Sequence, residues 1–144
     1  MQRCSIMKLF LALVFLLHLC AGQKTNITLN KEILRSLRRL DGLWKDDKLS
    51  LTTDTVRVPS VSMINNATSC VSVFVSELKS LLGNVTVHKD HKHILKELRG
   101  NLDLLKSRSK NDSRCQMREL MEDESPFQPY QDFIRKLSSM PHAA

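Results

Sequence analysis

The chain is 144 residues long and carries 22 Lys and Arg against 15 Asp and Glu, a formal charge of +7. That length is one ordinary domain. Its most apolar run is too short to cross a bilayer and its basic residues lack interleaved aromatics, which argues against an integral membrane protein and a nucleic-acid binder.

Residues 1–22 read as a secretory signal peptide. Arg3 and Lys8 make the basic start, and Leu9 to Leu19 is apolar except for His18. The small residues Ala21 and Gly22 precede the expected cut before Gln23. The product, residues 23–144, is then one secreted domain. It keeps 122 residues, 20 basic against 15 acidic, and the cysteines Cys70 and Cys115. An even pair in an oxidising compartment reads as one disulfide. Sequons begin at Asn26, Asn66, Asn84 and Asn111 and mark candidate glycosylation sites.

A first helix is expected over about 28–44, where Ile33, Leu37, Leu40 and Trp44 form one apolar seam. Lys31, Arg35 and Arg38 repeat half a turn away, either as a solvated face or as a surface turned to a partner. Residues 45–67 lose the helical period, and 51–58 reads as one extended stretch halted at Pro59. In the second helix, about 68–82, Val71, Phe74, Val75, Leu78, Leu81 and Leu82 share one face. Thr68 or Ser69 is expected to cap its start, and Gly83 to close its end in the left-handed conformation.

A shorter link, 83–90, leads to a third helix over about 91–107. Ile94, Leu95, Leu98, Leu102 and Leu105 make its apolar face, while Lys92, Lys96, Arg99 and Lys106 lie elsewhere. Gly100 interrupts it. The connection 108–125 carries Cys115 and a possible short strand over 114–120, opposite the one near Val56. The last helix ends at Met140 before Pro141. Ser125 and Gln128 suggest a capping box, and Pro129 favours the first turn. Tyr130, Phe133, Ile134, Leu137 and Met140 are expected to face inward.

The connections therefore run long, short, long. Short links join antiparallel neighbours, and long ones let parallel helices follow each other. The expected architecture is all-α, a short-chain four-helix bundle of the up-up-down-down kind.

Catalytic patterns are missing: there is no phosphate loop, no nucleophile elbow and no H-E-x-x-H, so neither an enzyme nor a bound cofactor is expected. His88, Asp90, His91 and His93 crowd one stretch, but their spacing fits no established zinc motif. Because every helix is amphipathic, a lipid-binding bundle is the rival of a different class.

Several stretches resemble the interleukin-4/interleukin-13 branch of short-chain type I cytokines. Ile27-Thr-Leu-Asn-Lys-Glu-Ile-Leu-Arg-Ser-Leu37 is similar to the family's first helix, with one residue inserted. Asn66-Ala-Thr-Ser-Cys70 resembles the approach to its second helix, His91-Lys-His-Ile-Leu-Lys-Glu-Leu98 its third, and Asp132-Phe-Ile-Arg-Lys-Leu137 its fourth. The interleukin-2, -15 and -21 group shares the fold and stands next. The resemblance implies a small two-strand ribbon between the long loops, and a monomer that brings two receptor chains together. One chain would resemble the interleukin-4 receptor alpha chain; the other, the common gamma chain or an interleukin-13 receptor chain. It also implies that the Cys70–Cys115 pair is the family's bridge from the second helix to the loop after the third. Glu32 would meet the alpha-type receptor. Asp103 stands where the family carries a helix-C arginine, so Arg99 or Lys96 would substitute, with Arg35 on the first helix completing the receptor-binding set. The family's late tyrosine and its other disulfides have no counterpart.

Overall fold

The computed structural model describes residues 25–108 and 115–140; the expected signal segment, the Asn111 sequon and the helix stop at Pro141 lie outside the described residues. Helix α1 spans Asn26–Lys45. It starts before the expected position because the Thr25 hydroxyl accepts from the Thr28 N–H at 3.1 Å and caps it. Leu29, Ile33, Leu37 and Leu40 are buried and Trp44 is half-buried. At its end Asp47 takes the left-handed conformation, φ 57°. The N–H groups of Asp47 and Lys48 then reach back to the carbonyls of Trp44 and Leu43, at 3.2 and 2.8 Å. An aspartate tolerates this turn because its short polar side chain reduces the steric cost.

The following connection is not one extended stretch over 51–58. It divides into β1 (Leu49–Leu51), β2 (Arg57–Pro59), the short helix α2 (Val61–Asn65) and a 3-10 turn at Ala67–Ser69. Ser60 caps α2 by accepting from the Met63 N–H at 3.1 Å.

Helix α3 (Val71–Leu82) buries all six residues of the expected stripe. Both of its expected caps are corrected. Thr68 and Ser69 are taken up in the 3-10 turn, so Cys70 precedes the helix without a side-chain cap. Gly83 is right-handed, φ −65°. Asn84 closes the helix instead: its N–H bonds the Leu81 carbonyl at 2.9 Å and its Nδ2 donates to the Ser80 carbonyl at 3.1 Å. A polar side chain thus does what a left-handed glycine would otherwise do.

The link after α3 contains β3 (Val85–Val87), which pairs antiparallel with β1 through Leu49↔Val87, Ser50↔Thr86 and Leu51↔Val85. Leu49 and Val87 turn inward while Ser50 and Thr86 face water, the alternation a half-buried ribbon requires. Helix α4 (Lys92–Ser107) buries Ile94, Leu98, Leu102 and Leu105, and Leu95 is half-buried. A Cβ added at Gly100 would meet nothing within 4 Å. Gly100→Ala is therefore expected to raise stability by about 0.5–1 kcal/mol through lost unfolded-state entropy, read as a higher urea midpoint with unchanged slope.

Strand β4 (Met117–Glu119) pairs antiparallel with β2, Val58 opposite Arg118, in agreement with the strand expected near Val56. Helix α5 spans Gln128–Ser139 with Pro129 in its first turn. Tyr130, Phe133, Ile134 and Leu137 are buried; Met140 is only half-buried, just beyond the helix. The Ser125–Gln128 capping box does not form. The Ser125 hydroxyl accepts from the Phe127 N–H and donates to the Asp41 carboxylate, and the Gln128 amide turns to Asp132.

The described residues are thus mostly helical, with two two-stranded ribbons. α1 packs on α4 and α5, and α3 packs on α4. The Phe74 ring of α3 lies on Phe133 of α5, centroids 4.3 Å apart and planes 8° apart, and meets Tyr130 at 5.8 Å. Each of α1 and α3 therefore has α4 and α5 as neighbours, and one apolar cluster joins all four.

Candidate functional site

Helix periodicity separates the apolar seam of α1 from its cations. Lys31, Arg35, Arg38 and Arg39 are exposed, and Glu32 is half-buried beside them. On α4, which packs against α1, Lys92, Lys96 and Arg99 are likewise exposed. The structure thus brings the predicted residues Glu32, Arg35, Lys96 and Arg99 onto two neighbouring helices. It does not join them: among the described residues no ion pair involves Arg35, Lys96 or Arg99. Asp103 is engaged by Lys79 of α3 at 2.6 Å, so it does not neutralise Arg99 one turn earlier.

Other carboxylates are satisfied away from this face. Asp41 is buried on α1 between Lys45, 3.2 Å away, and the Ser125 hydroxyl. Arg118 forms a two-pronged bond with Glu124, 2.7 and 2.5 Å, and Glu124 also accepts from the Met121 N–H. The Arg118 hydrogen bonds hold the Glu124 carboxyl below its ordinary value of 4.5 against the opposing effect of desolvation, and the same pair raises Arg118. A depressed carboxyl stabilises the fold above the unfolded-state pKa and loses that contribution as pH falls through the folded value. Glu124→Gln is expected to cost about 1 kcal/mol at about pH 6, discounted for partial exposure, and progressively less as pH falls below the ordinary carboxylate range, measured by urea unfolding.

Tyr130 is buried and donates to the Arg57 carbonyl at 2.8 Å. Burial pushes its hydroxyl well above the ordinary tyrosine range, with the nearby Glu77 charge adding to the effect. It is therefore a structural donor that ties α5 to β2. The predicted disulfide is formed, Cys70 to Cys115 with Cα atoms 5.6 Å apart, joining the start of α3 to the segment leading into β4.

Asn26 and Asn66 are exposed at helix termini, while Asn84 is half-buried and also accepts from the Thr52 hydroxyl at 3.0 Å. The histidine-rich stretch makes a local turn in which His88 Nδ1 accepts from the Asp90 N–H. No group of three or more candidate metal ligands occurs among the described residues. No helix among them is long and apolar enough to cross a membrane.

Two of the clefts among the described residues flank the β1–β3 ribbon. The larger, about 590 Å³, lies between the two ribbons, with Trp44, Leu120 and Met121 and the acidic Asp54, Glu119 and Glu122 in its lining. Sequence reasoning missed it because neither ribbon pairing is local. The second, about 510 Å³, runs between β3 and the edge of α4 that bears Lys92, Lys96 and Arg99. Comparisons of the chain with known protein families, with curated proteins and with solved structures found no match.

Proposed function

We propose that this protein is a secreted, short-chain helical cytokine of the interleukin-4/13 type. It acts as a ligand rather than an enzyme and brings two type I cytokine receptor chains together. Janus-kinase and STAT signalling in immune cells, directed to type-2 immunity, is the response this reading assigns to it.

The observation that carries the reading is which helix ends meet. Arg108, just past α4, donates to Asn26 at the start of α1 at 2.9 Å. Ser125, just before α5, bonds Asp41 near the end of α1. β3, just past α3, pairs with β1, just past α1. These contacts fit α1 and α3 pointing one way and α4 and α5 the other, the up-up-down-down order with two long overhand connections. The β2–β4 pairing fits the ribbon made by those connections, and the Cys70–Cys115 bridge fits the one the family resemblance implies.

The same end contact aligns the proposed receptor residues. At 1.5 Å per residue, Arg99 lies about 14 Å along α4 from Arg108, and Arg35 about 14 Å along α1 from Asn26. With Glu32 one turn earlier, they stand at similar heights on adjacent helices. Such a mixed-charge face suits a desolvated contact with a few dominant residues.

Oxidised protein should bind a receptor ectodomain of the interleukin-4 receptor alpha type. Glu32→Ala should weaken that binding by more than about 1 kcal/mol while leaving the circular dichroism unchanged. Surface plasmon resonance decides it. Failure to bind any interleukin-4- or interleukin-13-type receptor chain, with capture by an interleukin-2-type receptor chain instead, would move the protein to the neighbouring branch; tight liposome binding with no receptor binding would move it to the lipid-binding class.

A further inference from the structure

The turn after β4 presents a methionine to solvent on a fixed backbone. The Met121 N–H donates to the Glu124 carboxylate at 3.2 Å, and the Glu124 N–H returns to the Met121 carbonyl at 3.1 Å. Glu124 is itself gripped by Arg118. Both bonds use the Met121 backbone, so its side chain takes no part in them and is 64% exposed. The other described methionines differ: Met63 is 1% exposed in the core, and Met117 and Met140 are half-buried. Met121 also lines the larger cleft together with Trp44, the only tryptophan of the chain. Asp54, Glu119, Glu122 and Glu124 share that lining, and no Lys, Arg or His does. Asp54, Glu119 and Glu122 enter no ion pair among the described residues. The charge around the thioether is therefore negative, on a chain whose formal charge is +7.

We infer that Met121 is an oxidant-responsive modification site whose co-reactant is a neutral hydroperoxide. A sulfur lone pair attacks the far oxygen of the peroxide, and the S–O bond forms as the O–O bond breaks. The proton of that oxygen passes to the leaving hydroxide or alkoxide. The thioether is thus oxidised by two electrons to the sulfoxide, while the peroxide is reduced to water or an alcohol. Susceptibility follows access to the sulfur, which shields Met63 and leaves Met121 open. The carboxylates repel anionic oxidants and admit an uncharged one. The sulfoxide makes an exposed apolar surface polar, so the cleft changes its chemistry. The backbone bonds of the turn survive, so the fold does not. change with it. Nothing in this chemistry depends on a receptor.

The experiment treats the disulfide-bonded protein with hydrogen peroxide, then quenches, reduces and digests it with trypsin. Cleavage after Lys and Arg places Met63, Met117, Met121 and Met140 in separate peptides for mass spectrometry. Met121 should gain an oxygen about tenfold faster than Met63 and about threefold faster than Met117 and Met140. Trp44 emission should shift along the same time course while the far-ultraviolet circular dichroism stays constant. Met121→Leu, which keeps an apolar side chain of similar size, should fold as wild type and lose the emission shift. With peroxymonosulfate, an anion, oxidation of Met121 relative to Met140 should be about threefold lower than with hydrogen peroxide at low salt, and the difference should shrink at about 0.5 M salt. Equal oxidation of Met121 and Met63, or helix loss in step with Met121 oxidation, would overturn the site. So would an emission shift that persists in Met121→Leu. An unchanged ratio with the anionic oxidant would overturn the hydroperoxide assignment.

Discussion

Cys70→Ser/Cys115→Ser is expected to lower unfolding stability by about 4 kcal/mol, the chain-entropy value for closing a 45-residue span. Domains of this size are stable by only about 5–15 kcal/mol, so the loss is a large share of the whole. It should appear as a fall of about 2 M in the urea midpoint. The location of the bridge says what loosens first. Cys70 is buried immediately before α3, whereas Cys115 is half-buried two residues before β4. Beyond Cys115 the segment is held by the three-residue β2–β4 ribbon, the Ser60–Gln116 backbone bond and the Arg118–Glu124 pair. Without the bridge, amide exchange at Met117–Glu119 should accelerate before that of α3. A loss below about 1 kcal/mol, with unchanged exchange there, would mean that the segment is already confined by its other contacts.

The apolar stripes were legible because helix period alone selects them. All six expected positions of α3 are buried, as are Ile33, Leu37 and Leu40 on α1. The ribbon of β1 and β3 was not, since three residues of alternation carry little signal until a partner strand is known. Left-handed closure was assigned to Gly83 on residue type; it occurs at Asp47, where two backbone bonds favour it, and Asn84 makes it unnecessary after α3.

Buried polar groups divide in the same manner. Asn30, Asp41, Asn101 and Gln131 interrupt apolar seams at helical spacing, so their burial was implied by position. Their partners were not, because Asp41 finds Ser125 across 84 residues of chain. The candidate receptor face follows the same logic. The sequence places Arg35 and Arg99 on exposed faces, but only tertiary contacts set α1 beside α4. Those contacts also remove Asp103 from Arg99 by offering it Lys79, which no local pattern announces.

Phe74→Ala is expected to cost about 3–5 kcal/mol, because the ring is fully buried and its removal leaves a cavity in the core. Phe74 is the junction between α3 and α5: it stacks on Phe133 and meets Tyr130, whose hydroxyl in turn fixes the Arg57 carbonyl of β2. Deleting the ring removes transfer free energy and leaves a void between the two helices. It also loosens the packing that holds the Tyr130 donor in line, so part of the cost should come from that hydrogen bond. A double-mutant cycle with Phe133→Ala should return a coupling of about 0.5–1.5 kcal/mol, the range for an aromatic pair beyond its buried area. Phe74→Leu should recover much of the loss by refilling the volume, yet leave the coupling near zero. If Phe74→Ala cost less than about 2 kcal/mol, the aromatic contact of α3 with α5 would not be what holds those two helices together.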